Sequence, residues 1–162
     1  MKIPVTINDK QIELEADPKE KLVHVLRQQK ILSVKDACNS SNCGACYILL
    51  DNKVAASCII PCGIVKNCNI ITLEYLVKQD IYQDIQKGFD KAHISLCGYC
   101  NSGKILLTYE ILNLNFTPTR EYISNIIDRL LDCCTEKDNL INGILYAYSF
   151  HYERQRTLRH GK

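Results

Sequence analysis

Cys38, Cys43 and Cys46 crowd into a turn-forming run, CNSSNCGAC, and Cys58 follows after eleven intervening residues. Thiolates are soft ligands, suited to iron–sulfur clusters and to zinc. The C-x4-C-x2-C spacing with a distant fourth cysteine is that of a loop wrapped around one side of a 2Fe–2S cluster. The residues between the cysteines support this chemistry. Asn39, Ser40, Ser41, Gly44 and Ala45 are small or turn-forming, so backbone can approach closely and aim N–H groups at the sulfurs. Zinc fits less well, because structural zinc sites favour two short knuckles.

A second group comprises Cys97 and Cys100 in LCGYCNSG, then Cys133 and Cys134 in DCCT. Cys-Gly-Tyr-Cys alone could be a thioredoxin-type redox pair, which calls for a preceding strand in a βαβ unit. The surroundings read as helical instead. Two pairs also supply the four ligands of a second cluster. Cys62 and Cys68 have no evident role and are expected to be buried as small apolar residues. His24, on a predicted helix, is expected to be structural, and Tyr146, Tyr148 and Tyr152 to pack. No glycine-rich nucleotide loop and no Ser/His/Asp or Cys/His arrangement is visible, so the chain alone does not read as a complete catalyst.

These cysteines need elements to hold them. KIPVTI and QIELEA, joined by Asn8 and Asp9, read as a hairpin with Ile3, Val5 and Ile7 on one face. DPKEKLVHVLRQQ reads as a helix capped by Asp17, with Pro18 in the first turn and Glu20 completing a capping box. YILL and KVAAS form a second hairpin turning at Asp51-Asn52, and NIITL a last short strand. Beyond it the pattern turns helical. EYLVKQDIYQDIQKGFDKA holds two short segments. GKILLTYEILNLN places Ile105, Leu106, Tyr109 and Leu112 on one face. TPTREYISNIIDRLL has a Thr-Pro start, and NLINGILYAYSFHYER closes the set. The expectation is an α+β chain: a compact sheet-and-helix domain over residues 1–76, then a bundle of about four helices over 77–162.

At 162 residues and a net charge of +2, the chain gives no electrostatic case for nucleic acid. No apolar run reaches membrane-spanning length. MKIPVTINDK reads as a strand, without a signal-peptide core. Clustered cysteines in a reducing compartment bind metal or do redox chemistry, so a cytoplasmic protein is expected. The basic tail (Arg154, Arg156, Arg159, Lys162) reads as a solvated terminus or a docking surface.

The chain resembles the iron–sulfur subunits of the molybdenum hydroxylases, the xanthine dehydrogenase, aldehyde oxidase and carbon monoxide dehydrogenase type. The resemblance rests on the early IND turn, VLR at 25–27, CGAC at 43–46, DNKVAASC at 51–58, CGYCNSG at 97–103 and PTRE at 118–121. It implies a β-grasp, plant-type ferredoxin-like domain followed by a four-helix bundle, each with a 2Fe–2S cluster. It implies a large molybdopterin-binding partner and a medium FAD-binding partner, with electrons passing from molybdenum through the helical-domain cluster and the ferredoxin-domain cluster to the flavin. Cys38, Cys43, Cys46 and Cys58 then hold the first cluster, and Cys97, Cys100 and Cys134 three corners of the second. The departures are specific. Asn39 and Ser41 stand where the family has glycines, and Leu96 where it has Gln. The family's Cys-Arg-Cys falls on Asp132, Cys133 and Cys134, and the Gly and Tyr after it on Glu136 and Lys137. The last ligand of the second cluster is therefore Cys133 or Asp132. The competing expectation is a degenerate relative with one cluster, acting as an assembly module.

Overall fold

The structure is a computed structural model, described here for residues 1–130 and 134–160. Asp132 and Cys133 lie outside the described residues, as does Lys162.

Period-two alternation builds the first half. Strands β1 (Lys2–Ile7) and β2 (Lys10–Glu15) pair antiparallel, Ile3 opposite Leu14 and Val5 opposite Ile12. Ile3, Val5, Ile7 and Leu14 face inward and are buried. The turn places Asn8 and Asp9 at φ 50° and 64°, a left-handed pair that suits the twist of a tight hairpin. The second hairpin, β3 (Tyr47–Leu50) and β4 (Lys53–Ala56), turns the same way, with Asp51 at φ 47° and Asn52 at 67°. Strand β5 (Asn69–Ile71) runs parallel to β1 and antiparallel to β3, giving the order β2-β1-β5-β3-β4. Helix α1 (Leu22–Gln28) buries Leu22, Val23, Val25 and Leu26. A helix packed on a mixed sheet of this order is the expected β-grasp arrangement.

Helix α1 starts later than expected, and Asp17 does not cap it. Its N-cap is Lys21, with no side-chain cap. Residues 18–21 are held by the segment at 60–63 instead. Gly63 N–H donates to Pro18 O at 2.8 Å, Cys62 N–H to Glu20 O at 2.7 Å, and Leu22 N–H to Ile60 O at 2.8 Å. Asp17 Oδ1 accepts from Lys19 N–H at 2.8 Å and closes a turn. Long-range backbone pairing has overridden a local helix-start signal.

The second half is helical: α2 (Leu73–Leu76), α3 (Asp80–Lys91), α4 (Asn101–Leu112), α5 (Arg120–Ile127) and α6 (Lys137–His160). Thr119 caps α5, its hydroxyl accepting from Tyr122 N–H at 3.1 Å. Helices α3 and α6 approach so closely that a Cβ on Gly88 would stand 2.4 Å from Ala147 N. Helix α4 is not the one-faced amphipath that its sequence suggests. Residues 102–108 are buried without interruption, because α4 packs against β3 and β4 as well as against α2, α3, α5 and α6.

Polar contacts join the halves. Glu110 on α4 accepts from Val54 N–H on β4 at 2.7 Å. Ser102 Oγ donates to Ser33 O at 2.9 Å. Glu74 on α2 accepts from Ser33 N–H at 2.8 Å and Ser33 Oγ at 2.6 Å. The basic tail is not wholly a solvated terminus. Arg154 Nε donates to the buried Asp84 at 2.8 Å, and His151 Nδ1 lies 2.9 Å from the same oxygen. Cys62 is buried as expected, whereas Cys68 is only partly so. His24 is half-exposed and pairs with Asp36 at 3.0 Å. Tyr148 and Tyr152 stack with centroids 6.5 Å apart, and Lys91 lies 4.5 Å from the Tyr146 ring centroid.

Candidate metal centres

The loop after α1 carries the first thiol group. It bends through left-handed residues at Asn39 (φ 55°), Ser41 (φ 62°) and Gly44 (φ 73°). Such a conformation costs a non-glycine residue about 1–2 kcal/mol, and local bonds hold each of the first two in place. Lys21 Nζ donates to Asn39 Oδ1 at 2.7 Å, and the Tyr47 hydroxyl to Ser41 O at 2.9 Å. The two departures from glycine are thus accommodated. The bends turn backbone N–H groups toward sulfur: Ala45 N–H donates to Cys43 Sγ at 3.5 Å.

The thiols meet as pairs. Cys38 and Cys43 are in hydrogen-bond contact, as are Cys46 and Cys58, and Cys46 lies close enough to feel Cys43. Cys58 arrives from the short turn after β4, and both Cys46 and Cys58 are buried. The Ser57 hydroxyl fixes this junction by donating to Cys46 O at 2.7 Å. Electrostatics separate the thiols. Burial pushes Cys38 up, but hydrogen bonds from Ser40 and Cys43 outweigh it and bring the thiol down to about 6. Burial, with the neighbouring Cys58 and Cys43, pushes Cys46 up to about 12. Two pairs of soft donors inside a cradle of inward N–H groups match a binuclear cluster, which takes two thiolates on each iron.

The second group forms where α4 begins. Cys97 sits in the preceding loop, where Gly98 adopts φ 88° and its N–H donates to Asn101 Oδ1 at 3.0 Å. Cys100 is the N-cap residue of α4 and is buried, while Cys97 and Cys134 are exposed. Cys134 contacts Cys97. Burial pushes the Cys134 thiol up, but hydrogen bonds from Thr135 and Cys97 and the positive charge of Lys104 bring it down to about 6. Lys104 Nζ lies 3.5 Å from Cys100 Sγ and 3.6 Å from Cys134 Sγ. The described part of this site thus gathers Cys97, Cys100 and Cys134. A redox pair of thioredoxin type is not what surrounds Cys97 and Cys100: a loop precedes them and a helix follows. Sequence reasoning passed over Lys104, although a lone charge inside GKILL is a signal for a buried cation.

The two groups are neighbours. Gly44, inside the first loop, touches Gly103 on α4, three residues beyond Cys100. A Cβ on Gly103 would stand 2.7 Å from Gly44 Cα.

Comparison with known proteins agrees with this geometry. Residues 5–63 match the family described as "2Fe-2S iron-sulfur cluster binding domain", and residues 72–145 that described as "[2Fe-2S] binding domain". The chain is 32% identical over 146 residues to a nicotinate dehydrogenase subunit of Pseudomonas putida, covering 90% of this chain and 93% of the relative. It is 31% identical over 149 residues to the xanthine dehydrogenase iron-sulfur-binding subunit of Escherichia coli O157:H7, covering 88% and 91%. The chain belongs to the iron–sulfur subunits of the molybdenum hydroxylase family. Among solved structures it is similar to quinoline 2-oxidoreductase from Pseudomonas putida 86, with a TM-score of 0.83 at 27% identity, covering 94% of this chain and 96% of that one. As a family member it is an electron-transfer component of an oxidoreductase with two 2Fe–2S domains. Matches over both halves count against the single-cluster assembly module. No helix among the described residues is long and apolar enough to cross a membrane.

Proposed function

We propose that this chain carries electrons between two partners, a large one that binds molybdopterin and a medium one that binds FAD. Cys38, Cys43, Cys46 and Cys58 hold the cluster of a ferredoxin-like domain spanning residues 1–76. Cys97, Cys100 and Cys134, completed by Cys133 or Asp132, hold the cluster of a helical domain spanning 77–162. Bound at these thiolates, a 2Fe–2S cluster supplies reversible one-electron uptake. The protein supplies the rest. The first loop presents N–H donors to sulfur, α4 anchors Cys100, and the Gly44–Gly103 contact keeps the two thiol groups within reach of each other. Electrons enter at the helical half and leave at the sheet half. A chain with seven or eight cysteines committed to metal suits a reducing compartment, and we place it in the cytoplasm.

The observation that carries this reading is the pairwise meeting of thiols at two adjacent sites. The test is anaerobic purification at native expression, followed by iron and labile-sulfide assay. About four irons per chain are expected, two for each cluster, with one large and one medium partner co-purifying. Replacing Cys43 by Ser should remove or alter one 2Fe–2S signal in electron paramagnetic resonance of the reduced protein and spare the other. An unchanged spectrum refutes the first ligand set, and a stable lone monomer with substrate-oxidising activity refutes the role as one component of a complex.

A further inference from the structure

Lys104 is a buried cation, 4% exposed, on a helix whose other buried residues are uncharged: Ser102, Gly103, Thr108 and a run of Ile and Leu. It sits one turn after Cys100, and side chains of a helix lean toward its N-terminus. The ammonium is thereby carried back over the thiols, 3.5 Å from Cys100 Sγ and 3.6 Å from Cys134 Sγ. Those two sulfurs come from segments far apart in sequence, and Lys104 bridges them. A buried charge persists where opposite charge and hydrogen bonds meet it. A cluster held by thiolates supplies both. Its sulfides and thiolates outweigh the charge of two ferric irons, and uptake of one electron makes it more negative still.

We propose that Lys104 sets the reduction potential of the second cluster: its ammonium donates to the Cys100 and Cys134 thiolates and stabilises the reduced form. The proposal rests on the assignment of Cys97, Cys100 and Cys134 to that cluster. Net charge and hydrogen bonds to sulfur are the two levers by which a protein tunes such a centre, and Lys104 applies both from within the protein interior. The first group has a different environment, since backbone N–H groups and the Ser40 hydroxyl meet its thiols. Lys104 therefore raises the second potential without a matching effect on the first. It makes the helical-domain cluster the better resting place for an electron than its ligands alone would make it.

The test is a mediated redox titration of the full chain, in its complex, followed by electron paramagnetic resonance, with iron assayed in each sample. In Lys104→Met the ratio of reduced to oxidised second cluster, measured at the wild-type midpoint, should fall about tenfold, a shift of about 59 mV for one electron. The first cluster should titrate as in the wild type. Lys104→Arg keeps the charge and should restore most of the potential. Lys104→Gln keeps a donor without the charge and should shift in the direction of Met. Should the Met variant load no second cluster, the comparison of Gln with Arg decides in its place. A fully loaded Met or Gln variant with the wild-type midpoint overturns the proposal, as does an Arg variant shifted as far as Met. A wild-type chain with only about two irons refutes the second site itself, and the iron assay reads that outcome independently of any potential.

Discussion

Gly44 and Gly103 meet backbone to backbone, with no space for a side chain on either. A Cβ on Gly103 would stand 2.7 Å from Gly44 Cα and 2.9 Å from Gly44 O, and one on Gly44 would stand 2.8 Å from Leu130 Cδ2. Gly44 lies between Cys43 and Cys46, and Gly103 lies just beyond Cys100. The glycine pair thus fixes how near the two thiol groups come, and tunnelling falls steeply with distance. Gly44 carries a second constraint, because its φ of 73° favours glycine. Gly103→Ala inserts a methyl group against backbone that cannot swing aside, and overpacking of this kind costs about 1–3 kcal/mol. The expected result is a lower urea midpoint together with a weaker magnetic interaction between the two reduced clusters. An alanine variant that changes neither would show that the loops do not depend on this contact.

Glu74 tests the join between the cluster-bearing loop and the helical half. Its carboxylate accepts from Ser33 N–H, Ser33 Oγ and Thr72 Oγ1, at 2.8, 2.6 and 2.7 Å. Burial pushes this carboxyl up, but the Ser33 and Thr72 bonds outweigh it and leave it below its ordinary 4.5. A depressed carboxyl contributes stability that is present above 4.5 and is lost as pH falls through the lower folded value. Glu74→Gln should cost about 1 kcal/mol at neutral pH, the difference between charged and neutral hydrogen bonds at a half-exposed site. The gap between variant and wild-type urea midpoints should hold above pH 4.5 and narrow below it. A gap that widens on acidification would contradict the assignment.

Much of this is legible in the amino-acid sequence. Hairpins and their turns are local, so Asn8-Asp9 and Asp51-Asn52 declared themselves through turn chemistry. Ligand spacing is also written along one loop, which is why Cys38, Cys43 and Cys46 could be read directly. What escaped depends on distant partners. Asp17 looks like a helix cap until the 60–63 segment takes the backbone groups of residues 18–21. Helix α4 looks one-faced until a sheet and four helices are packed around it. Gly103 reads as an ordinary helix weakness, and its purpose emerges only with Gly44 opposite.

Asp84 anchors the longest helix. Its side chain is 3% exposed and receives Arg154 Nε at 2.8 Å, with His151 Nδ1 at 2.9 Å. Removing one partner of a buried ion pair strands the other, at a cost of about 3–5 kcal/mol. Arg154 is partly exposed and can recover some hydration, so Asp84→Ala should fall near the lower end, about 3 kcal/mol. Thermal unfolding should show this as a clear drop, and Asp84→Asn, which keeps the shape and an acceptor, as a smaller one. A loss under about 0.5 kcal/mol, typical of ordinary surface positions, would mean that the pair does not hold α6 to α3.

The last ligand of the second cluster is decided by chemistry at two adjacent residues, Asp132 and Cys133. Counting from PTRE places a carboxylate at the position where the resemblance implies a thiolate, with sulfur one residue later. Ferric iron accepts carboxylate oxygen, but iron–sulfur sites strongly favour sulfur. Cys134, the next residue, already contacts Cys97, so the second thiol group is close in sequence to both candidates. We expect Cys133 to complete the set. Cys133→Ala should then lose the second cluster and leave about two irons per chain, with the first cluster's spectrum intact. Asp132→Ala should keep about four irons and an unchanged second signal. If Asp132→Ala alone disturbs that signal, the ligand is the carboxylate. Such a cluster should be lost more readily on exposure to air or chelator, because one of its four bonds to the protein is to a hard oxygen on an otherwise soft centre.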